Sequence, residues 1–425
     1  MAYTYNNEIT FQNNAAQDAF GRLRVSEIQS LLNIKQTQSN LENIIYNTKT
    51  SGGKITYFSG DSMTRLTVTG DSNSYVIRQT KQRVNYQAGK SILGLFSGGF
   101  SGGTNAIVQV GFLNNELNSP YLPNNGIFFE KSGTTIAFCI AKNGVITRVI
   151  QSNWNIDKMD GLSGITNPSK ILINTSKVQI IVIDYEWLGV GRVRVGFNID
   201  GQTYYVHQFK NANNSNSVYT RTPNFHVTYS IRAFGAGTFS MDQICTSVDM
   251  ESNVDPTGVI RALNSNTSST LTAPDGIAPL IAVRLKATNL DAVIEPYSIS
   301  MVNIGGNNAF LAHLYLMDGK SKSFILGGTT PTAWSAVTFT NLPNSPLEYI
   351  NNFSDSDRLI ETGQTTIKIY SEYASNQTKT TSSEIHSSIW AGNTIDGVRD
   401  VYVVAAERIG SNIVMSGAIT VRTLD

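Results

Sequence analysis

Three observations make this an all-β protein of two sandwich domains. Apolar and polar residues alternate with a period of two, Asp-Gly and Asn-Gly pairs punctuate the runs where hairpins turn, and helical signals are few. In residues 192–199, Val193, Val195, Phe197 and Ile199 face one way, and Arg192, Arg194 and Asn198 the other. Asp200-Gly201 follows, then a second strand-like run over 202–209. A type I′ turn needs two residues tolerant of positive φ, which Asp-Gly supplies. The same device stands at Asn143-Gly144, between 138–142 and 145–149, and at Asp318-Gly319, between 313–317 and 320–326. Ile180-Ile181-Val182-Ile183 is apolar throughout, as a strand covered on both faces requires.

Taken in order, residues 1–34 read as an N-terminal arm or edge strand. They are too short for a domain and weakly amphipathic over 17–32, with a short turn expected at 40–45. Residues 35–250 form the first sandwich. A polar, turn-rich stretch without alternation follows, including Val254-Asp255-Pro256-Thr257-Gly258 and Asn264-Ser265-Asn266-Thr267-Ser268-Ser269, so 251–274 is expected to be a linker. Residues 275–425 form the second sandwich. There Ile281, Val283, Leu285 and Ala287 alternate with Arg284 and Lys286, and runs at 365–370, 400–405 and 413–421 keep the period. No short internal repeat is present.

Composition narrows the function. The 425 residues carry 32 Lys+Arg and 31 Asp+Glu, a net charge of +1. Charged residues are 15% of the chain, against about 25% in an average soluble protein. Apolar content of 40% argues against disorder, and the missing basic excess argues against nucleic acid. A weakly charged surface keeps a monomer soluble poorly, which favours a permanent homo-oligomeric assembly. The N-terminus shows neither a basic nor an apolar signal region, and no stretch nears the roughly 20 apolar residues of a membrane span. The chain is therefore expected to be made in the cytoplasm without membrane insertion.

Chemistry-bearing motifs are sparse, and no catalytic residue, metal site or cofactor is expected. Cys139 and Cys245 are too few for a disulfide framework, and Cys139 reads as a buried thiol in an apolar run. His207, His226, His313 and His386 lack metal-pair spacing; His207 and His313 read as packed or rim residues. Ser97-Gly98-Gly99-Phe100-Ser101-Gly102-Gly103 lacks the Lys-Ser/Thr of a phosphate loop and reads as a mobile loop. Asp157 and Asp160 either cap turns, chelate calcium or form an acid/base pair. Trp187 and Tyr204 are candidates for stacking on a sugar ring or a neighbouring subunit, with packing inside the sandwich as the alternative for Trp187. Arg192 and Arg194 face away from Val193 and Val195, toward a carboxylate of the same sheet, a neighbouring subunit or solvent.

Several segments form a more specific pattern together. They are Asp18-Ala19-Phe20-Gly21-Arg22-Leu23-Arg24-Val25-Ser26-Glu27, Asn85-Tyr86-Gln87-Ala88-Gly89-Lys90-Ser91 and Asn125-Gly126-Ile127-Phe128-Phe129-Glu130. Trp154-Asn155-Ile156-Asp157-Lys158-Met159-Asp160-Gly161 follows, then Ile183-Asp184-Tyr185-Glu186-Trp187-Leu188-Gly189-Val190-Gly191-Arg192-Val193-Arg194-Val195-Gly196-Phe197. The series resembles a family of virion structural proteins of tailed bacteriophages, found also in some large DNA viruses, over roughly residues 18–231. Ala88 replaces that family's usual proline, and the block at Pro223-Asn224-Phe225-His226 departs from its Pro-Asn-Leu-Pro.

The resemblance implies a jelly-roll sandwich similar to concanavalin-like or laminin-G-like lectins. It implies a non-enzymatic virion component on capsid, neck or tail, whose partners are its own copies and other virion proteins. The alternative is a fibre module that binds a host-surface glycan. Phe20, Arg22 and Arg24 read as assembly contacts that dock the arm on another surface, and Trp154, Asp157, Asp160, Arg192 and Arg194 as a structural motif.

Overall fold

A computed structural model describes residues 2–5, 8–11, 16–42, 44–70, 74–115, 119–251, 258–265, 269–271, 276–305, 308–325, 327, 330–361, 366–374, 391–410 and 413–424. His386 lies outside them. The chain divides into two compact units, Met1–Asp255 and Pro256–Asp425.

The first unit is a jelly-roll sandwich of two antiparallel sheets. From edge to edge, the seven-stranded sheet runs Val145–Ile150, Thr135–Lys142, Pro123–Ser132, Ala106–Asn115, His226–Ala233, Tyr75–Thr80 and Ile45–Lys49. The eight-stranded sheet runs Gln202–Phe209, Val193–Ile199, Val178–Tyr185, Ile92–Gly102, Gly237–Glu251, Met63–Gly70 and Gly53–Phe58, with Ile28–Lys35 paired to Gly237–Glu251. Among the described residues Ala2–Tyr5 and Glu8–Phe11 pair only with each other.

Alternation sends one side chain in two into the space between the sheets. Val193, Val195 and Phe197 enter the core beside Ile181 and Ile183, as the period-two reading requires. Aromatic rings knit the layers: Phe129 lies 5.5 Å from Phe138 and 6.0 Å from Phe197, both near edge-to-face. Each buried Phe contributes about 1.5–3 kcal/mol by leaving water. Asn143-Gly144 and Asp200-Gly201 turn their hairpins with both residues at positive φ, 48° and 78°, 52° and 79°.

Several expectations need correction. The glycine-rich stretch is no loop, because it forms the second half of Ile92–Gly102 in mid-sheet. A Cβ at Gly98 would stand 2.1 Å from the Asp242 carbonyl oxygen, so the neighbouring backbone requires a bare α-carbon there. Residues 251–274 are not simply a linker. Val259–Asn264 and Ser269–Leu271 both pair with the C-terminal strand Ile413–Leu424. Nor does the arm end at residue 34, since Ile28–Lys35 is a ladder strand of the first unit. Residues 17–32 contain no helix, and Ile180 is 37% exposed rather than covered.

The second unit has a nine-stranded and a four-stranded sheet. In the larger, Ile277–Leu285, Val401–Arg408, Phe310–Met317 and Thr366–Ala374 lie side by side. In the smaller, Val293–Gly305 and Ile413–Leu424 make the longest ladder. Leu280, Leu314 and Val404 meet Ile299, Met301 and Ile419 between them. The outer face of the larger sheet carries a second cluster around Trp334, which stacks on Phe324 at 4.5 Å. The hairpin expected at Asp318-Gly319 does not form. Both edges of Phe310–Met317 are already occupied by Thr366–Ala374 and Val401–Arg408, so the chain leaves the sheet after Met317.

Candidate functional site

Two arrangements in the first unit gather the residues that the sequence singles out. The first joins the ends of the motif series. Asp184 and Arg194 lie opposite each other in the ladder, on the face turned away from the core, and both are fully buried. What buries them is the segment 16–25. Arg24 donates to Asp184 Oδ2 at 2.8 Å and also pairs with Glu251. Tyr205 Oη and Ser91 Oγ each donate to the Asp184 carboxylate at 2.8 Å. Arg194 pairs with the same carboxylate, donates to the Gln17 carbonyl and lies 4.1 Å above the Tyr205 ring.

Arg192 donates to the Ala19 carbonyl at 2.9 Å, and the Ala19 N–H donates to Ser91 Oγ at 3.2 Å. Within the segment, Arg22 chelates Asp18 at 2.6–2.8 Å and covers the Phe20 ring at 4.5 Å. Burial holds the Glu251 carboxyl above its usual range against the pull of Arg24. For Arg24 burial acts downward, and the charges of Asp184, Tyr205 and Glu251 outweigh it to leave the guanidinium raised.

Phe20, Arg22 and Arg24 make these contacts within their own chain. A carboxylate as buried as Asp184 demands cations, and the segment supplies one of the two. Arg194 meets a carboxylate of the same sheet, whereas the Arg192 guanidinium docks on the Ala19 and Asp18 carbonyls of the N-terminal segment.

The second arrangement is an open cleft of about 650 Å³ at one end of the sandwich. One wall is the hairpin Thr135–Lys142 and Val145–Ile150, and the other is the end of Gln202–Phe209 with the loop 210–219. Two motif blocks hold these walls. Asn125 Oδ1 accepts the Asn143 N–H at 3.3 Å, and the Asn124 carbonyl accepts the Gly144 N–H at 2.8 Å. On the other side, Asn211 Nδ2 donates to the Gly191 carbonyl at 2.7 Å and the Tyr219 N–H to the Gly189 carbonyl at 2.9 Å. Tyr219 Oη donates to the Glu186 carbonyl at 2.6 Å. Gly189 has φ 77°, and a Cβ there would meet Val218 at 2.9 Å.

The cleft's chemistry is uniform. Asn143, Asn211 and Asn216 offer amides; Thr147, Ser215 and Ser217 offer hydroxyls. Ile140, Val145, Val218, Phe209 and Tyr219 provide the apolar lining, and Lys142 is the one charged residue. Amides and hydroxyls donate and accept at once, as sugar hydroxyls do, and the volume falls within the roughly 300–1,000 Å³ of small-molecule sites. A second hollow, of about 40 Å³, lies on the outer face of the seven-stranded sheet near Tyr121 and Arg148 and has room only for water.

The remaining candidates are structural. Trp154 is buried against Phe138 and Phe197 and donates its indole N–H to the Val149 carbonyl at 3.1 Å. Asp157 accepts the N–H groups of Met159 and Ser169 at 3.0 and 3.1 Å, and Asp160 that of Leu162 at 3.0 Å, so both cap turns. Trp187 is half-buried, with its indole N–H on the Thr220 carbonyl at 3.2 Å and Tyr86 against its edge. Tyr204 packs partly on the core and donates to Gln202. Both rings are partly exposed, and neither lines the cleft.

His207 is packed, as expected, and burial pulls its imidazole down to about 4. Cys139 is a buried thiol raised by that burial. Among the described residues no three His, Cys, Asp or Glu side chains gather as a metal site, and no helix is long and apolar enough to cross a membrane.

The sequence matches no family model and no curated protein. Among solved structures, the chain is similar to the Emp47p carbohydrate recognition domain, with 14% identity, TM-score 0.32, and coverage of 53% of this chain and 98% of that one. It is also similar to a legume lectin-like domain from Entamoeba histolytica, with 11% identity, TM-score 0.31, and coverage of 54% and 100%. The VIP36 exoplasmic/lumenal domain is a third, at 9% identity and TM-score 0.32, covering 54% of this chain and 92% of its own.

Proposed function

We propose that this chain is a non-enzymatic structural component of a virus particle, whose first unit binds carbohydrate in the cleft between residues 140–147 and 209–219. The observation that carries the binding half is the cleft's lining: amides and hydroxyls over an apolar floor, held open by two anchored walls. Binding rather than turnover fits this lining, because none of its residues is an aspartate, glutamate or histidine to move a proton. The particle half is supported by the motif series. Its acidic and basic residues Asp18, Arg22, Arg24, Asp184, Arg192 and Arg194 interlock as a clasp. The low charge of the chain suits packing among copies and neighbours.

A plug variant tests the binding half. Thr147→Trp places a bulky ring in the cleft from an exposed strand position. On an oligosaccharide array the native chain should bind and the plugged chain should not, with unchanged melting. Equal binding by both would place the sugar elsewhere. For the particle half, labelled antibody against the chain should decorate virions at a fixed position, and unlabelled virions would count against it.

A further inference from the structure

We propose that the cleft selects acidic saccharides, with Lys142 and Ser217 together holding a sugar carboxylate. This rests on the carbohydrate reading above and names the class of sugar. The charge inventory of the cleft is one-sided: Lys142 stands in the lining and no carboxylate does. Lys142 Nζ donates to Ser217 Oγ at 2.7 Å, a neutral partner across the cleft mouth. Among the described residues Lys142 makes no ion pair.

An ammonium has three N–H donors, so two remain for a ligand, and a hydroxyl that accepts from Nζ still has its own proton to donate. The pair therefore presents donors from both walls of the cleft, a match for the two oxygens of one carboxylate. The Lys142–Ser217 bond also holds the cation in place before the ligand arrives, so less side-chain freedom is lost on binding. The exposed amides of Asn143 and Asn216 flank it and are left for ring hydroxyls. A neutral sugar would meet the same amides but leave the cation without a counter-charge. With a chain charge of only +1, the selection is local rather than long-range steering.

The test uses the full chain and a panel of matched oligosaccharides, each uronic-acid tetramer beside its carboxyl-reduced neutral form, with affinities measured by calorimetry. The acidic member of the preferred pair should bind about tenfold tighter, the effect of a charge-assisted hydrogen bond. That ratio should shrink as salt is raised. Lys142→Gln should bring the ratio toward one, and Lys142→Arg should preserve it, with the melting temperature of each variant verifying that it folds. Equal affinity of the native chain for both forms would overturn the selectivity and leave the carbohydrate reading standing, as would a ratio unchanged in Lys142→Gln. Binding of neither form in any pair would overturn both.

Discussion

Replacing Asp184 by Asn tests the clasp between the N-terminal segment and the sheet. The substitution keeps the shape and removes one charge. Arg194 then loses the carboxylate it meets at 0% side-chain exposure, and Arg24, at 17%, keeps its ion pair with Glu251. Breaking a buried ion pair from one side costs about 3–5 kcal/mol. The remaining Arg24–Glu251 pair relieves part of this, while the amide N–H₂ now faces donors from Tyr205 and two guanidiniums. A net loss of about 4 kcal/mol follows, a large share of the roughly 5–15 kcal/mol that holds a domain folded. In a unit of this size that lowers melting by about 10 °C. Calorimetry of the full chain reads the shift, and hydrogen exchange reads the release of residues 16–25. The double variant Asp184→Asn/Arg194→Met should recover much of the loss, because it also removes the buried charge that faced the carboxylate. A shift below about 2 °C, or no recovery in the double variant, would refute the reasoning.

Three further outcomes follow from single positions. His207 is neutral in the fold, with its imidazole at about 4 against an ordinary value of 6.5, and Nδ1 accepts the Asn155 N–H. The unfolded chain binds the extra proton first, so His207 makes the first unit lose stability as pH falls from about 6.5 to 4. The difference between native and His207→Gln melting curves should show that slope, and a flat difference would contradict it. Gly98→Ala should cost about 1–3 kcal/mol by denaturant melting, since its Cβ meets backbone; a neutral result would mean that the strands part freely. Trp334→Ala should cost the second unit about 3–5 kcal/mol and speed hydrogen exchange in Val401–Arg408 but not in Val193–Ile199.

What the sequence makes legible is local. Alternation at Val193, Val195 and Phe197, and the turns at Asn143-Gly144 and Asp200-Gly201, follow from side-chain period and φ tolerance, both written within a few residues. What it hides depends on distant neighbours. The glycines of 97–103 look like a loop until the Gly237–Glu251 strand is seen pressing on Gly98. Asp318-Gly319 has hairpin chemistry, but whether strands pair there depends on which edges are free, and both were taken by strands from later in the chain.

The clasp was half visible. Arg192 and Arg194 clearly faced away from the core, yet nothing local shows that Arg24, 160 residues before Asp184, completes their pairing. The cleft was hidden altogether, because its walls are about seventy residues apart in sequence and its lining has no catalytic or metal-binding spacing. The one signal available was the run of Asn and Ser over 211–217, too polar for a strand yet pinned at both ends by the Trp187 block.

The most direct measurement is a crystal structure of the chain with an oligosaccharide from the array bound. Ligand density between Lys142, Asn143 and Thr147 on one side and Asn211 to Ser217 on the other is the predicted result. Density on any other surface, with this cleft holding only solvent, would contradict it.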